Sequence, residues 1–199
     1  MKMDFQTERS VDIIINMKIN GKDDIRLQAL DILSFDGIET LTMSELAKRV
    51  GLTKASLYHY YKSKDEILED IFLKGHKKLM QHGFYQKLSG DSEANLRALA
   101  TNWINLFRDD ENYMYLRMVT SMHLTDSRAE EEYRALTLML KGQASIVIQR
   151  IKGAETSLLS ALFSSLLFSH LEGILEDESS DDEKLIEEIC EFASLIEAD

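Results

Sequence analysis

Proline is absent from this chain of 199 residues. Helix interiors exclude proline, whereas sheet proteins and long loops normally carry some, so its absence points to an all-α fold. Cysteine occurs once, at Cys190, which excludes intrachain disulfides and cysteine-based zinc sites. Cys190 lies in a helical pattern and reads as a small buried apolar residue. Long apolar runs are missing too. None approaches the ~18–20 residues of a membrane span, so no membrane partner is expected. The short run from Val11 to Ile15 is interrupted by Asp12 and is too brief for the apolar region of a signal peptide. A reducing, cytoplasmic location is the expectation.

Positive charge is also scarce. The net charge is −12, which argues against a generic nucleic-acid coat or a membrane-surface protein. The imbalance is uneven: residues 1–75 carry a net −2 and residues 76–199 a net −10. Within residues 41–64, five bases (Lys48, Arg49, Lys54, Lys62, Lys64) face one acid, Glu45, for a local net of +4. The five histidines form no metal-binding spacing, and no phosphate loop or nucleophile motif is present. No metal, cofactor or enzymatic activity is therefore expected. Hydrophobic residues make up 44% of the chain, enough for a packed core.

Apolar periodicity predicts about nine helices, at 22–36, 43–50, 54–61, 63 to past 79, 92–108, 112–123, 127–152, 155–176 and 181–197. Polar breaks separate them, at 89–91, 109–112, 124–126, 153–154 and 177–182. The last of these, an acidic run, lacks the glycine and ligand spacing of a calcium loop and reads as solvated. Residues 1–20 have no helical pattern and form a flexible arm. Met17, just before the first clean helix, is a candidate translation start. Residues 21–68 make one domain and 69–199 a second.

The first domain carries the basic run. Gly37 follows the last periodic residue of the first helix, as a left-handed cap requires. Thr42 and Glu45 form a capping box, and Met43, Leu46, Ala47 and Val50 make one apolar stripe. Gly51 permits a sharp turn, and Leu52 fills the gap between helices. Thr53 caps the next helix, whose Leu57 and Tyr61 face inward. Ala55, Tyr58, His59 and Lys62 then point outward. Ser63 and Glu66 cap a fourth helix, with Ile67, Leu68, Ile71 and Phe72 on its apolar side. This is a helix-turn-helix layout, in which the second helix enters the DNA major groove.

The segment ELAKRVGLT, then KASLYHYYKSK and EIL, with Gly37 and Thr42 before it, resembles the DNA-binding domain of the TetR family of bacterial transcriptional regulators. The likeness covers about residues 24–72. It departs modestly, at Leu46, Val50, Thr53, Ser56 and Tyr61. The resemblance implies that Lys54, Ala55 and Tyr58 read bases, and that Thr42, Thr53, Ser56, His59, Tyr60 and Lys64 grip backbone phosphates. It also implies a C-terminal helical domain that binds a small-molecule effector of unknown identity and pairs through its last two helices.

The residues allow both roles. Aromatic and methionine side chains at Trp103, Phe107, Tyr115, Met118, Met122 and Met139 could line an adaptable pocket, with Arg117 or His123 orienting a polar ligand. The bland alternative is that most of these are core. In the stretch 154–175, small residues alternate with Leu162, Phe163, Leu166, Leu167 and Leu171, so that the helix could touch its own core and a partner at once. Ile189 and Phe192 on the last helix would be its companions in the interface.

The leading function is a homodimeric, ligand-responsive repressor of a palindromic operator in double-stranded DNA. One rival is a DNA-binding architectural or cell-division factor on the same fold with no small ligand. Another is a helical adaptor that does not bind DNA. If a dimer neutralises ~6–10 phosphates, DNA affinity falls roughly 10³–10⁵-fold between 50 and 200 mM salt. A titration by fluorescence anisotropy checks this, and a flat response would contradict the phosphate assignments.

Overall fold

A computed structural model describes residues 21–81, 90–152, 157–176 and 181–197. The arm at 1–20 and the break at 153–154 lie outside them, as does most of the acidic run. Nine α-helices and no strand occur among the described residues. They are α1 (Lys22–Phe35), α2 (Met43–Arg49), α3 (Lys54–Tyr60), α4 (Lys64–Gln81), α5 (Ser92–Arg108), α6 (Asp110–Met122), α7 (Ser127–Lys152), α8 (Ser157–Glu176) and α9 (Asp182–Glu197).

Local chemistry explains the boundaries. Gly37 and Gly51 take φ of 84° and 67°, the left-handed region that closes α1 and opens the turn after α2. The Thr42 hydroxyl accepts from the Glu45 N–H at 3.1 Å, and Thr53 accepts from the Ser56 N–H at 3.0 Å. The Glu66 N–H donates to Ser63 at 3.1 Å. Only the hydroxyl half of each predicted box forms. The Glu66 carboxylate instead takes the Lys62 N–H at 2.6 Å, and Glu45 lies 3.9 Å from both Lys48 and Arg49. The predicted break at 109–112 narrows to one residue. Asp109 ends α5, and its carboxylate accepts from the Asn112 N–H at 3.0 Å to begin α6. One aspartate both turns the chain and supplies the next cap.

Helices α1 to α3 pack around Ile25, Ile32, Leu46, Leu57 and Tyr61, all fully buried. Helix α4 runs unbroken across the boundary expected at residue 68 and carries Gly75 and Leu79 into the second domain's core. A dense seam joins the two domains, where α1 packs on α6. There Arg26 pairs with Glu111 at 2.7 Å, and Lys78 reaches Asp109 at 2.6 Å and Glu111 at 3.2 Å. Burial pushes the Glu111 carboxyl up, but Arg26 and Lys78 outweigh it and hold it below its usual range. Farther along, Asp65 on α4 meets Arg128 on α7 at 2.9 Å.

One expectation needs correcting. Helix α8 is 20 residues long with a mean hydropathy of 1.6 in its most apolar window, enough by length and composition to cross a membrane. Its serines and one glycine interrupt the apolar run without lowering hydropathy much. Phe163, Leu167, Leu171 and Ile174 nevertheless pack inside the fold. Leu158 and Leu162 face outward, at 70% and 53% exposure.

At Gly75, helices α4 and α6 touch. A Cβ added there would lie 2.3 Å from the Tyr115 ring, which is itself fully buried. Glycine inside a helix usually gains about 0.5–1 kcal/mol on change to alanine. Here overpacking wins, and Gly75→Ala should destabilise the protein by about 1–3 kcal/mol in urea unfolding.

Candidate nucleic-acid interface

Helix α3 turns two residues inward and the rest outward. Leu57 and Tyr61, its C-terminal cap, are fully buried. The Tyr61 hydroxyl donates to Asp70 at 2.6 Å, and the Lys22 ammonium lies 4.3 Å from the ring centre. Burial, reinforced by Asp70, pushes the Tyr61 phenol far above its usual range, so it stays protonated and donating. With that edge anchored, Lys54, Ala55, Tyr58, His59 and Tyr60 all come out exposed on one short element. Tyr58 and Tyr60 are both 39% exposed.

The other expected contact residues surround this face. Thr42 and Thr53 are exposed, and Ser56 is half-buried. Their hydroxyls are not idle: Thr42 and Thr53 cap their helices, and the Thr53 and Ser56 oxygens lie 2.8 Å apart. Lys64 is partly committed as well. Its ammonium donates to the Ile38 carbonyl, tying the start of α4 to the loop after α1. Two of its three donors stay available. Lys62 donates to the Tyr58 carbonyl at 3.0 Å.

Arg49 departs most from a simple charge count. Its guanidinium bonds Asp31 at 2.8 Å and also takes Asp36. Burial raises the Asp31 carboxyl, an effect that Arg49 opposes. Both acids lie outside residues 41–64, so the local +4 overstates the charge facing solvent. Lys48 is different. It is 80% exposed along its side chain, and its nearest carboxylate is 3.9 Å away. The signal for it was present in its place off the apolar stripe of α2.

In the second domain, Trp103, Phe107, Tyr115, Met118 and Met122 are buried in one core. The Trp103 N–H donates to Gln143 at 2.7 Å, and the Trp103 and Phe107 rings lie 6.3 Å apart. Met139 packs against this core from its edge. His123 stacks on Tyr133 at 4.2 Å with Nδ1 2.7 Å from the Thr120 carbonyl oxygen. Arg117 bonds the carbonyl oxygens of Ser34 and Leu175. A cleft lined by Gly90, Ser92, Asn95, Arg150 and Ile151 contains none of these residues. No cluster of three or more metal-ligating side chains occurs among the described residues. Of the residues expected to pair two subunits, Phe163, Leu167 and Ile189 are buried within the protomer. Leu166 and Phe192 are half-buried, and Leu162 is exposed.

Residues 25–71 match the profile of the bacterial regulatory proteins, tetR family. They form a helix-turn-helix domain of that family. The whole chain is similar in fold to several solved regulators. A TetR family transcriptional regulator, PfmR, from Thermus thermophilus has 23% identity and a TM-score of 0.61, over 89% of this chain and 96% of its own. AmtR from Mycobacterium smegmatis has 17% identity and a TM-score of 0.63, over 93% and 90%. A transcriptional regulator from Rhodococcus sp. Rha1 has 18% identity and a TM-score of 0.59, over 88% and 95%. No curated protein sequence matches significantly.

The two kinds of base in this segment separate experimentally. Arg49→Met should lower the melting temperature yet leave the slope of log affinity against log salt unchanged, because the lost partners are Asp31 and Asp36. Removing a lysine that neutralises a phosphate should instead reduce that slope by about 0.9. Anisotropy titrations across a salt series, alongside thermal melts, distinguish them.

Proposed function

On the premise of a tetR-family helix-turn-helix joined to a second helical domain, we propose that this protein is a homodimeric transcriptional repressor, released from a palindromic operator by a small molecule. The observation that carries the reading is the division of α3. Leu57 and Tyr61 fasten one edge into the core while Lys54, Ala55 and Tyr58 stand clear on the other. In this reading Lys54 reaches guanine O6 or N7, and the Ala55 methyl meets a thymine methyl. Thr42, Thr53, Ser56, His59, Tyr60 and Lys64 hold the backbone. The protein acts in the cytoplasm as a DNA-binding regulator and not as an enzyme.

Two recognition helices one DNA turn apart require a two-fold dimer. Helix α8 supports one. It exposes Leu158 and Leu162, and Leu159 and Leu166 are only half-covered. Phe192 extends this face onto α9, where it packs on Phe163 with ring centres 5.6 Å apart. The effector would enter the second domain near Trp103, Phe107, Tyr115, Met118 and Met122, with Met139 and His123 at the rim. A second reading, a DNA-binding factor with no small ligand, is favoured by how closely that aromatic core is packed.

Selection of duplexes from a random double-stranded library tests the reading. A palindromic sequence should emerge, and failure to retain any duplex at low salt would leave a helical adaptor. Leu162→Asp removes an exposed apolar contact without touching the core. It should yield a folded monomer by sedimentation, with affinity for the selected palindrome lower by about 10²–10⁴.

A further inference from the structure

Arg117 occupies the one place where the C-terminal ends of α1 and α8 meet. Its Nε donates to the Ser34 carbonyl at 3.0 Å, and its Nη1 donates to the Leu175 carbonyl. Ser34 and Leu175 are each the penultimate residue of their helix. The last carbonyls of a helix lack intrahelical partners and carry partial negative charge, which a cation in the last turn normally offsets. Neither α1 nor α8 has a basic residue in its own last turn. A single guanidinium from the middle of α6 serves both ends.

The surroundings hold that guanidinium in one orientation. The Tyr113 hydroxyl lies 3.2 Å from Nη1 and donates to the same Leu175 carbonyl at 3.4 Å. The Phe35 ring centre is 5.3 Å from the guanidinium carbon, and Phe35 itself lies 6.4 Å from the Tyr113 ring. The Ser34 hydroxyl lies 2.7 Å from both the Leu30 and Met114 carbonyl oxygens, seating α1 on α6. A planar fork bonded along two edges fixes direction as well as distance, which a lysine ammonium cannot do.

We propose that Arg117 is a positioning residue that sets the angle of the DNA-binding domain against the dimerisation helix α8, and so selects the spacing of the two half-sites. The inference rests on the homodimeric reading above. In a two-fold dimer, α8 of each protomer is held at the symmetry axis. Any slack between α8 and α1 becomes slack between the two recognition helices. Arg117 is therefore a structural link to DNA and not a ligand contact.

The test uses the full chain and a palindromic duplex selected by the wild-type protein, with its half-sites moved apart or together by one base pair. The wild type should prefer its own spacing by about tenfold. Arg117→Met and Arg117→Lys should reduce the preference to about twofold or less, with sedimentation still showing a dimer and circular dichroism the same helix content. Tyr113→Phe, which keeps the ring and removes one hydroxyl, should give an intermediate preference even if Arg117→Met does not fold. Variants that keep the wild-type preference would overturn the proposal. So would an equal loss at every spacing together with lost helix content, which would mark Arg117 as merely stabilising. A wild-type protein that is monomeric would overturn the homodimeric reading itself, whereas a dimer with unaltered variants would overturn the role of Arg117 alone.

Discussion

A helix of seven residues is too short to persist by itself in water. Helix α3 has seven residues, and it presents Lys54, Ala55 and Tyr58. The first domain is organised around that constraint. Thr53 caps the start of α3, and Leu57 and Tyr61 sink into the core at its end. Asp70 on α4 and Lys22 on α1 both bind Tyr61, so two longer helices hold the short one. Burial of an aromatic ring supplies the energy, and the hydroxyl's bond to Asp70 satisfies its polar end. A recognition element fastened along one edge can offer its whole opposite face to another molecule.

The second constraint is the seam. A DNA-binding domain that moved freely would lose any information carried by the rest of the chain. Arg26, Lys78 and Arg117 tie α1 and α4 to α6, and their partners Glu111, Asp109 and the carbonyl oxygens of Ser34 and Leu175 are half-buried or are backbone atoms at helix ends. Charge-assisted bonds in such surroundings are stronger and less screened than pairs in open water. Gly75 adds a steric element, because the absence of a side chain there is what lets α4 lie against Tyr115. The seam is thus both polar and close-packed, which favours movement of the domains as units over gradual bending.

Much of this was legible in order along the chain. The bounds of α5 and α7 follow from apolar period and polar breaks, and those of α1 to α3 fall within a residue of expectation. Thr42, Thr53 and Ser63 act as caps, and Leu57 and Tyr61 are buried. Other readings changed. Glu45 and Glu66 do not complete their boxes, because Arg49, Lys48 and the Lys62 N–H offer better partners. Arg49 belongs to Asp31 and Asp36 more than to the basic face. Arg117, read as a candidate ligand contact, binds two helix ends.

These differences share a cause. Helix period, capping and the glycine turns act over three or four residues, and so they can be read in sequence order. By itself the sequence determined an all-helical chain, a helix-turn-helix, and the outward placing of Lys54, Ala55 and Tyr58. Only the tertiary structure decided which charges are spent and which remain free. Arg117 meets Ser34 and Leu175 across 83 and 58 residues. No local pattern encodes such a meeting, because the packing of whole helices brings the three together.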